Sequence, residues 1–344
     1  MKIKAAVLKE LQHIEMEEIE LEPLKPGEIS VKMEYVGICG SDMHFFEHGR
    51  IGANIVKYPY ILGHECAGTI IDVAPDVKKL KIGDRVALEP GTPCGKCEFC
   101  KKGRYNLCTE MKFMASPPTN GCLKEIVNYP EHMAFKLPDN MTTLEGALLE
   151  PLAVGMHSVK RGGVAPGKSV VILGSGCIGL VTLLAAKAAG ASVIAVSDLF
   201  DNRLEKAKEL GATHVFNPKK DGDFKKLREI TGGEGFDVVF ETAGNPITAS
   251  QTSDLVRRGG MIVIEGSVLG DVPFNFRNLS IGEAALTTIW RYVNVYPEAI
   301  QRVSSGDINL KSIASHPFEF DDCQNAFESS IKNKNEIVKS YIKF

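Results

Sequence analysis

The stretch Ser169-Val170-Val171-Ile172-Leu173-Gly174-Ser175-Gly176-Cys177-Ile178-Gly179-Leu180 decides the fold class. Val170 to Leu173 form an unbroken apolar run of the kind found in strands buried on both faces. The loop from Gly174 through Gly176 and Ile178 to Gly179 follows at once, and the apolar stretch from Leu180 to Ala189 reads as a helix. Each glycine has its own task in such a loop. The first permits a tight turn, the second lets the backbone approach a pyrophosphate, and the third lets the helix lie close on the strand. The helix start then points its free N–H groups at the anion.

The texture continues outward from this loop. Short apolar strands at Val193 to Val196, Val215-Phe216, Val238 to Phe240 and Ile262 to Ile264 alternate with helical stretches at Asn202 to Leu210 and Ile247 to Arg257. Strands spaced by helices predict an α/β fold whose doubly wound parallel sheet, of Rossmann type, spans residues 151–288. Asp198 ends the second strand about 20 residues beyond the loop, where a ribose-binding acid is expected. Its carboxylate accepts from the ribose hydroxyls and repels a 2′-phosphate, which favours NAD over NADP. Arg203 lies close enough to soften that preference, although a helix-surface charge is its plainer role.

Upstream the pattern is different. The first 90 or so residues read as short strands and turns, with Glu28 to Val36 alternating and Cys66 to Val73 β-rich. The last 55 or so residues return to this texture, so residues 1–150 and 289–344 are expected to form one β-rich domain interrupted by the parallel-sheet domain. A chain of 344 residues is large enough for two such domains. Its 40 basic and 43 acidic residues give a net charge of −3 with no basic block, which excludes nucleic acid as a partner class. No apolar run reaches the roughly 20 residues of a membrane span, and the alternating start Met1 to Glu10 lacks a signal-peptide pattern. The expectation is a cytoplasmic protein with reduced thiols.

Nine cysteines are present, four of them crowded at Cys94, Cys97, Cys100 and Cys108. Four thiolates at this spacing satisfy a tetrahedral zinc completely, so the site is structural. An iron–sulfur cluster is the rival. Lys96, Lys101, Lys102 and Arg104 are expected to offset the negative charge of a four-thiolate site. Cys66, Cys122, Cys177 and Cys323 read as structural thiols with no pairing implied. Cys39, His64 and Glu65 are also competent zinc ligands, and three protein ligands leave a position open. Spacing alone does not assemble them.

Several ordered motifs bring them together. Ile38-Cys39-Gly40-Ser41-Asp42, His48-Gly49-Arg50-Ile51-Gly52, Gly63-His64-Glu65, Gly103-Arg104-Tyr105-Asn106-Leu107, Leu149-Glu150-Pro151-Leu152 and Trp290-Arg291-Tyr292 span nearly the whole chain. With them the chain resembles the zinc-containing medium-chain alcohol dehydrogenase family, in its polyol branch. The resemblance implies a GroES-like catalytic domain interrupted by a Rossmann domain, with two zinc ions per chain, NAD, and a homotetramer. It further implies catalytic zinc held by Cys39, His64 and, as in many members, Glu65. Glu150 stands where liver-type members carry a cysteine ligand, and binds the metal directly or through water. Pro151 is expected to interrupt helical hydrogen bonding and help aim that carboxylate.

The implied reaction moves a hydride from a secondary alcohol of a sorbitol- or xylitol-like polyol to NAD. Ser41 would contact the substrate oxygen, or cap the following helix. His44 occupies the place of a proton-relay histidine. Arg291, with Tyr292, would hold several hydroxyls through five fixed donors. Phe45 and Phe113 would line the opposite wall, with Ser116 adding a hydrogen bond. Butanediol and threonine dehydrogenases are alternatives within the family. A catalytically idle NAD-binding relative is a further alternative, and a zinc-free quinone reductase would lack both ligand sets.

Overall fold

In a computed structural model describing residues 1–344, the chain forms two compact units. The first comprises Met1–Glu150, Tyr296–Gly306 and Leu310–Phe344, and the second comprises Pro151–Val295 and Asp307–Asn309. Residues 289–295, expected in the β-rich domain, thus pack with the parallel sheet. The Ile289 N–H extends the last strand by donating to the Ile264 carbonyl at 3.3 Å.

In the first unit the strands are β1 (Lys2–Glu10), β2 (His13–Glu20), β3 (Glu28–Gly37), β4 (Glu65–Val73), β5 (Arg85–Leu88), β6 (Ile126–Pro130) and β7 (Ala134–Lys136), with helix α1 (Gly40–His48) after β3. β3 buries Ile29, Val31, Met33 and Val36 in the main apolar core of this unit. β3 and β4 run antiparallel with Gly37 opposite Glu65 and Val36 opposite Cys66. This register brings the turn carrying Cys39 beside the turn carrying His64.

Helix α2 (Leu149–Gly162) leads into the second unit. There β8 (Ser169–Leu173), α3 (Cys177–Ala188), β9 (Val193–Ser197), α4 (Asp201–Leu210), β10 (His214–Phe216), β11 (Phe236–Glu241), α5 (Pro246–Leu255), β12 (Val256–Ile264) and β13 (Ala285–Thr288) follow. The six strands are parallel in the order β10-β9-β8-β11-β12-β13, with the order reversing between β8 and β11. Val170 to Leu173 are fully buried at the centre. Three local expectations change. Helix α3 starts at Cys177, earlier than Leu180, because Gly176 acts as its N-cap. Helix α5 stops at Leu255, short of Arg257, because the chain enters β12 at Val256 without a loop. Pro151 does not interrupt α2, since it lies in the first turn, where a backbone N–H has no partner within the helix.

The tail then rejoins the first unit through β14 (His316–Glu319), α6 (Cys323–Lys332) and β15 (Ser340–Lys343). β15 pairs antiparallel with β3, Tyr341 facing Gly37, so the large sheet runs β7-β5-β4-β3-β15-β14 with β6 also on β3.

Candidate metal centres and nucleotide pocket

Ligand atoms of Cys39, His64 and Glu65 lie within 4.8 Å of one another, with His64 and Glu65 buried and Cys39 half-buried. Cys39 is the N-cap of α1, so Ser41 falls inside the first turn and is not the cap. Beside the cluster, buried Asp42 accepts from the Gly63 N–H at 3.0 Å and the Cys39 N–H at 3.1 Å. Its Oδ2 also lies 3.4 Å from Nδ1 of His64. Burial opposes ionisation of Asp42, but His64 and the two N–H groups outweigh it and hold the carboxyl below its usual range. An acid in that place fixes the ring orientation of a metal-binding histidine.

The carboxylate of Glu65 meets a buried cation, Lys339, whose Nζ lies 2.5 Å away and also donates to the Ile38 carbonyl at 3.0 Å. A Cβ on Gly37 would approach Oε2 of Glu65 to 2.0 Å, so only glycine leaves room for this carboxylate. Glu150 is buried but lies outside the three-donor cluster. Near it Glu89, also buried, is pushed up to about 7 by desolvation, while the Tyr105 hydroxyl at 2.8 Å pulls it down and Glu150 adds to the rise. A soft, an intermediate and a hard donor in one buried cluster suit zinc.

The second cluster is Cys94, Cys97, Cys100 and Cys108, again within 4.8 Å, with all four thiols free of disulfides. Backbone N–H groups point at the sulfurs: Cys94 to Sγ of Cys108 at 3.3 Å, and Cys97 to Sγ of Cys94 at 3.4 Å. The Cys97 thiol is drawn down to about 6, first by the Cys100 backbone N–H. The expected charge balance by lysines is revised: Lys96 pairs with Glu110 and Lys102 with Glu98, so those cations are spent on carboxylates. Lys101 and Arg104 are the basic residues of the four that remain beside the thiols, and two backbone N–H groups add to them.

In the second unit, a cavity of about 240 Å³ is lined by Gly174, Ser197, Asp198, Phe200, Arg203 and Thr248 among others. The three glycines of the loop divide their tasks as expected. Gly174 has φ +108°; a Cβ on Gly179 would sit 1.9 Å from the Gly174 carbonyl oxygen; a Cβ on Gly176 would meet only the Arg203 guanidinium, at 4.0 Å. That opening is where a pyrophosphate can approach. Asp198 accepts from the N–H of Ser175 at 2.8 Å and of Phe200 at 3.1 Å, which ties the glycine loop to the end of β9. Arg203 is not a plain surface charge: its guanidinium lies 3.9 Å from Asp198 and 5.5 Å from the Phe200 ring centre. The cavity and cradle fit a dinucleotide.

Residues 25–139 match the alcohol dehydrogenase GroES-like domain, and residues 177–305 match the zinc-binding dehydrogenase domain. The chain is 48% identical to an uncharacterized zinc-type alcohol dehydrogenase-like protein, YdjJ, of Escherichia coli, over 93% of this chain and 92% of that one. It is 40% identical to sorbitol dehydrogenase of Bacillus subtilis over 98% and 96%. The solved structure of an Escherichia coli oxidoreductase/dehydrogenase of unknown specificity superposes with a TM-score of 0.96 at 45% identity, covering 100% and 99%. The chain belongs to the zinc-containing medium-chain alcohol dehydrogenases.

In this dehydrogenase the two expected folds, GroES-like and Rossmann, are both present. Zinc and a nicotinamide dinucleotide are its cofactors, and its substrate is a small molecule. The sites anticipated for substrate are more scattered. The Phe113 ring centre lies 5.6 Å from that of His64, and Ser116 is half-buried in the same loop. Phe45 is packed into the core of the first unit, where it anchors α1 and offers no open wall. Arg291 is half-buried and Tyr292 buried in the second unit. Asp42, Lys339 and Glu89 escaped the sequence reading. Asp42 was within reach of it, as part of the quoted Cys39 motif, whereas nothing local marks the other two.

Asp198→Ala should lower the NAD-to-NADP ratio of kcat/KM by at least about tenfold, because the repulsion of a 2′-phosphate goes with the ribose acceptor. Arg203, 3.9 Å from that carboxylate, lines the same cavity that the 2′-phosphate would enter. Steady-state kinetics with both cofactors read this out. Wild-type protein that prefers NADP would refute the role given to Asp198.

Proposed function

We propose that this dehydrogenase oxidises a secondary alcohol of a polyol, of sorbitol or xylitol type, to a ketose, with NAD taking the hydride. The observation that carries the reading is the Cys39, His64 and Glu65 donor set, in a chain whose glycine loop and Asp198 frame a nucleotide cavity. Zinc bound at that set supplies a Lewis acid that lowers the pKa of a substrate hydroxyl.

The chain's own residues do the rest. Ser41 and His44, three apart on α1, share a helix face, and His48 continues it one turn on with its ring centre 4.5 Å from that of His44. Ser41 accepts the hydroxyl proton as it gives its own to His44, and the two histidines pass a proton along the helix toward exposed His48 and solvent. Glu150, outside the donor cluster, serves the metal through a water. Phe113 shields the reacting carbon from solvent and Ser116 holds a neighbouring hydroxyl.

Arg291 selects the polyol. It holds a left-handed backbone, φ +54°, which costs a non-glycine residue of order 1 kcal/mol, so its surroundings keep it there. Its guanidinium lies 5.2 Å from the Trp290 ring, which supports the fork from one face. Tyr292 sits buried beside it in the chain. Removing a charged hydrogen-bond donor set costs roughly 1.5 to 3 kcal/mol per bond, or about ten- to a hundredfold. Arg291→Ala should therefore lower kcat/KM for sorbitol or xylitol by that amount while sparing propan-2-ol. An NAD assay across sorbitol, xylitol, galactitol, butane-2,3-diol and threonine fixes the substrate. Equal losses for polyol and propan-2-ol would overturn the role of Arg291.

The same reading has the protein working in the cytoplasm as a homotetramer, with neither nucleic acid nor membrane as partner. No helix is long and apolar enough to cross a membrane. The edge strand β13 and its surroundings expose Phe276, Ile281, Leu286 and Trp290, an apolar patch suited to a second copy. The mass in solution checks this.

A further inference from the structure

Helix α1 carries two histidines that stand outside the donor set at Cys39. His44 and His48 are one helical turn apart, so their Cβ atoms lie on one face, about 5 to 6 Å from each other. The ring centres are 4.5 Å apart and the ring planes meet at 70°. His44 is half-buried and His48 exposed. Beyond this edge-to-face contact, neither ring has a hydrogen bond or an ion pair with any other group.

The helix beneath the two rings is fixed in place. Phe45 and Phe46 are buried in the core of the first unit, and the Phe46 ring centre lies 5.2 Å from that of Phe327 on α6. Gly49 closes the helix with φ +65°, its N–H donating to the Phe45 carbonyl at 2.9 Å, and the Gln12 N–H donates to the Phe46 carbonyl at 3.0 Å. A Cβ on Gly49 would lie 2.8 Å from the Tyr58 hydroxyl oxygen, so the closing turn is packed as well. His48 is the last residue of α1, where the partial negative charge of a helix end favours a cation.

Two unengaged imidazoles on one rigid helix face suit a divalent transition metal. Imidazole is a ligand for zinc, nickel and copper, and histidines at this spacing on one face of a helix are the pair that holds zinc in metalloproteases. At zinc–nitrogen distances of about 2.0 to 2.1 Å, two nitrogens on one tetrahedral ion lie roughly 3.4 Å apart. Rings centred 4.5 Å apart reach that spacing by small turns about their side-chain bonds. Water fills the other positions, so such an ion exchanges readily and is held more weakly than one bound by thiolates.

We infer that His44 and His48 form a further metal site of this chain, an exchangeable surface site for nickel, copper or excess zinc, separate from the Cys39 and Cys94 clusters. The site itself needs only the geometry of α1. Its consequence rests on the proposed proton relay: an ion on both rings occupies the nitrogens that carry the proton from Ser41 toward solvent, so a filled site slows turnover.

Zinc-loaded protein dialysed against nickel(II) tests this, with bound nickel and zinc counted and turnover and melting temperature recorded on the same samples. Wild type should take up one nickel per chain while keeping its zinc, melt higher with nickel than without, and lose turnover over the concentration range in which nickel binds. His48→Gln removes the ligand, and His48→Phe keeps the ring-against-ring contact without a ligand nitrogen. Both should bind this nickel at least about tenfold more weakly, since losing even a hydrogen-bond partner of a metal ligand costs that much. His48 is exposed, so both variants should melt with wild type when nickel is absent. Nickel taken up equally by wild type and variants, or bound only as zinc leaves, overturns the inference. Nickel bound at the pair with turnover unchanged upholds the site and overturns the relay reading instead.

Discussion

Cys39→Ala is expected to abolish turnover and to remove one of two zinc ions while leaving the fold in place. The three-donor cluster loses its thiolate, and a pair of donors no longer outcompetes water for the metal. What disappears with the metal is several kcal/mol of charge stabilisation, so kcat/KM should fall at least about a thousandfold. Stability should change by less than about 2 kcal/mol, because Cys39 is half-buried and its sulfur is only a weak acceptor in the cap of α1. The Cys94, Cys97, Cys100 and Cys108 cluster is built from a separate loop and should keep its metal. Metal analysis of the purified variant, with kinetics on the same sample, decides it. Two zinc ions per chain, or a tenth of the wild-type activity, would remove Cys39 from the catalytic site.

Lys339→Met should cost about 3 to 5 kcal/mol of stability, which is the usual penalty for leaving one member of a buried ion pair alone. Lys339 and Glu65 are exposed by only 3% and 1%, so water cannot replace the lost ammonium. The penalty should depend on the metal. With zinc bound, the Glu65 carboxylate has a second positive partner; after chelation it has none, and the variant should lose more stability than wild type does. The Ile38 carbonyl also loses its donor, which loosens the turn before Cys39 and should weaken zinc affinity. Glu65→Gln combined with Lys339→Met should regain most of the loss, since the buried charge is then gone. Denaturant unfolding with and without chelator measures wild type, Lys339→Met and the double variant. A loss under about 1 kcal/mol for Lys339→Met in zinc-free protein would show that the pair has little structural weight.

Both predictions draw on residues that differ in how visible they were. Cys39 belongs to a motif whose neighbours could be recognised in order, although its meeting with His64 and Glu65 rested on resemblance. Lys339 stands 274 positions from its partner, in a lysine-rich tail where nothing sets it apart. The lysines beside the cysteine loop illustrate the reverse case. Their nearness in sequence suggested charge compensation, but long exposed side chains choose partners by reach, and they chose Glu110 and Glu98. Phe45 likewise looked like a wall of the substrate site until the turn of α1 directed it into the core.

Features whose physics is contained in one continuous segment could be read from the residues alone: the strand, glycine loop and helix at 169–188, the acid at the next strand end, and the four-cysteine loop. In each, the spacing of glycines, apolar residues or thiols already sets the local geometry, because neighbours along the chain are neighbours in space. The donor set at Cys39, His64 and Glu65 depends on the antiparallel register of β3 and β4. The Glu65–Lys339 pair depends on β15 returning to β3. Those arrangements exist only once distant segments pack, since burial and the choice of partner for a charge are properties of the assembled interior and of no single stretch of chain.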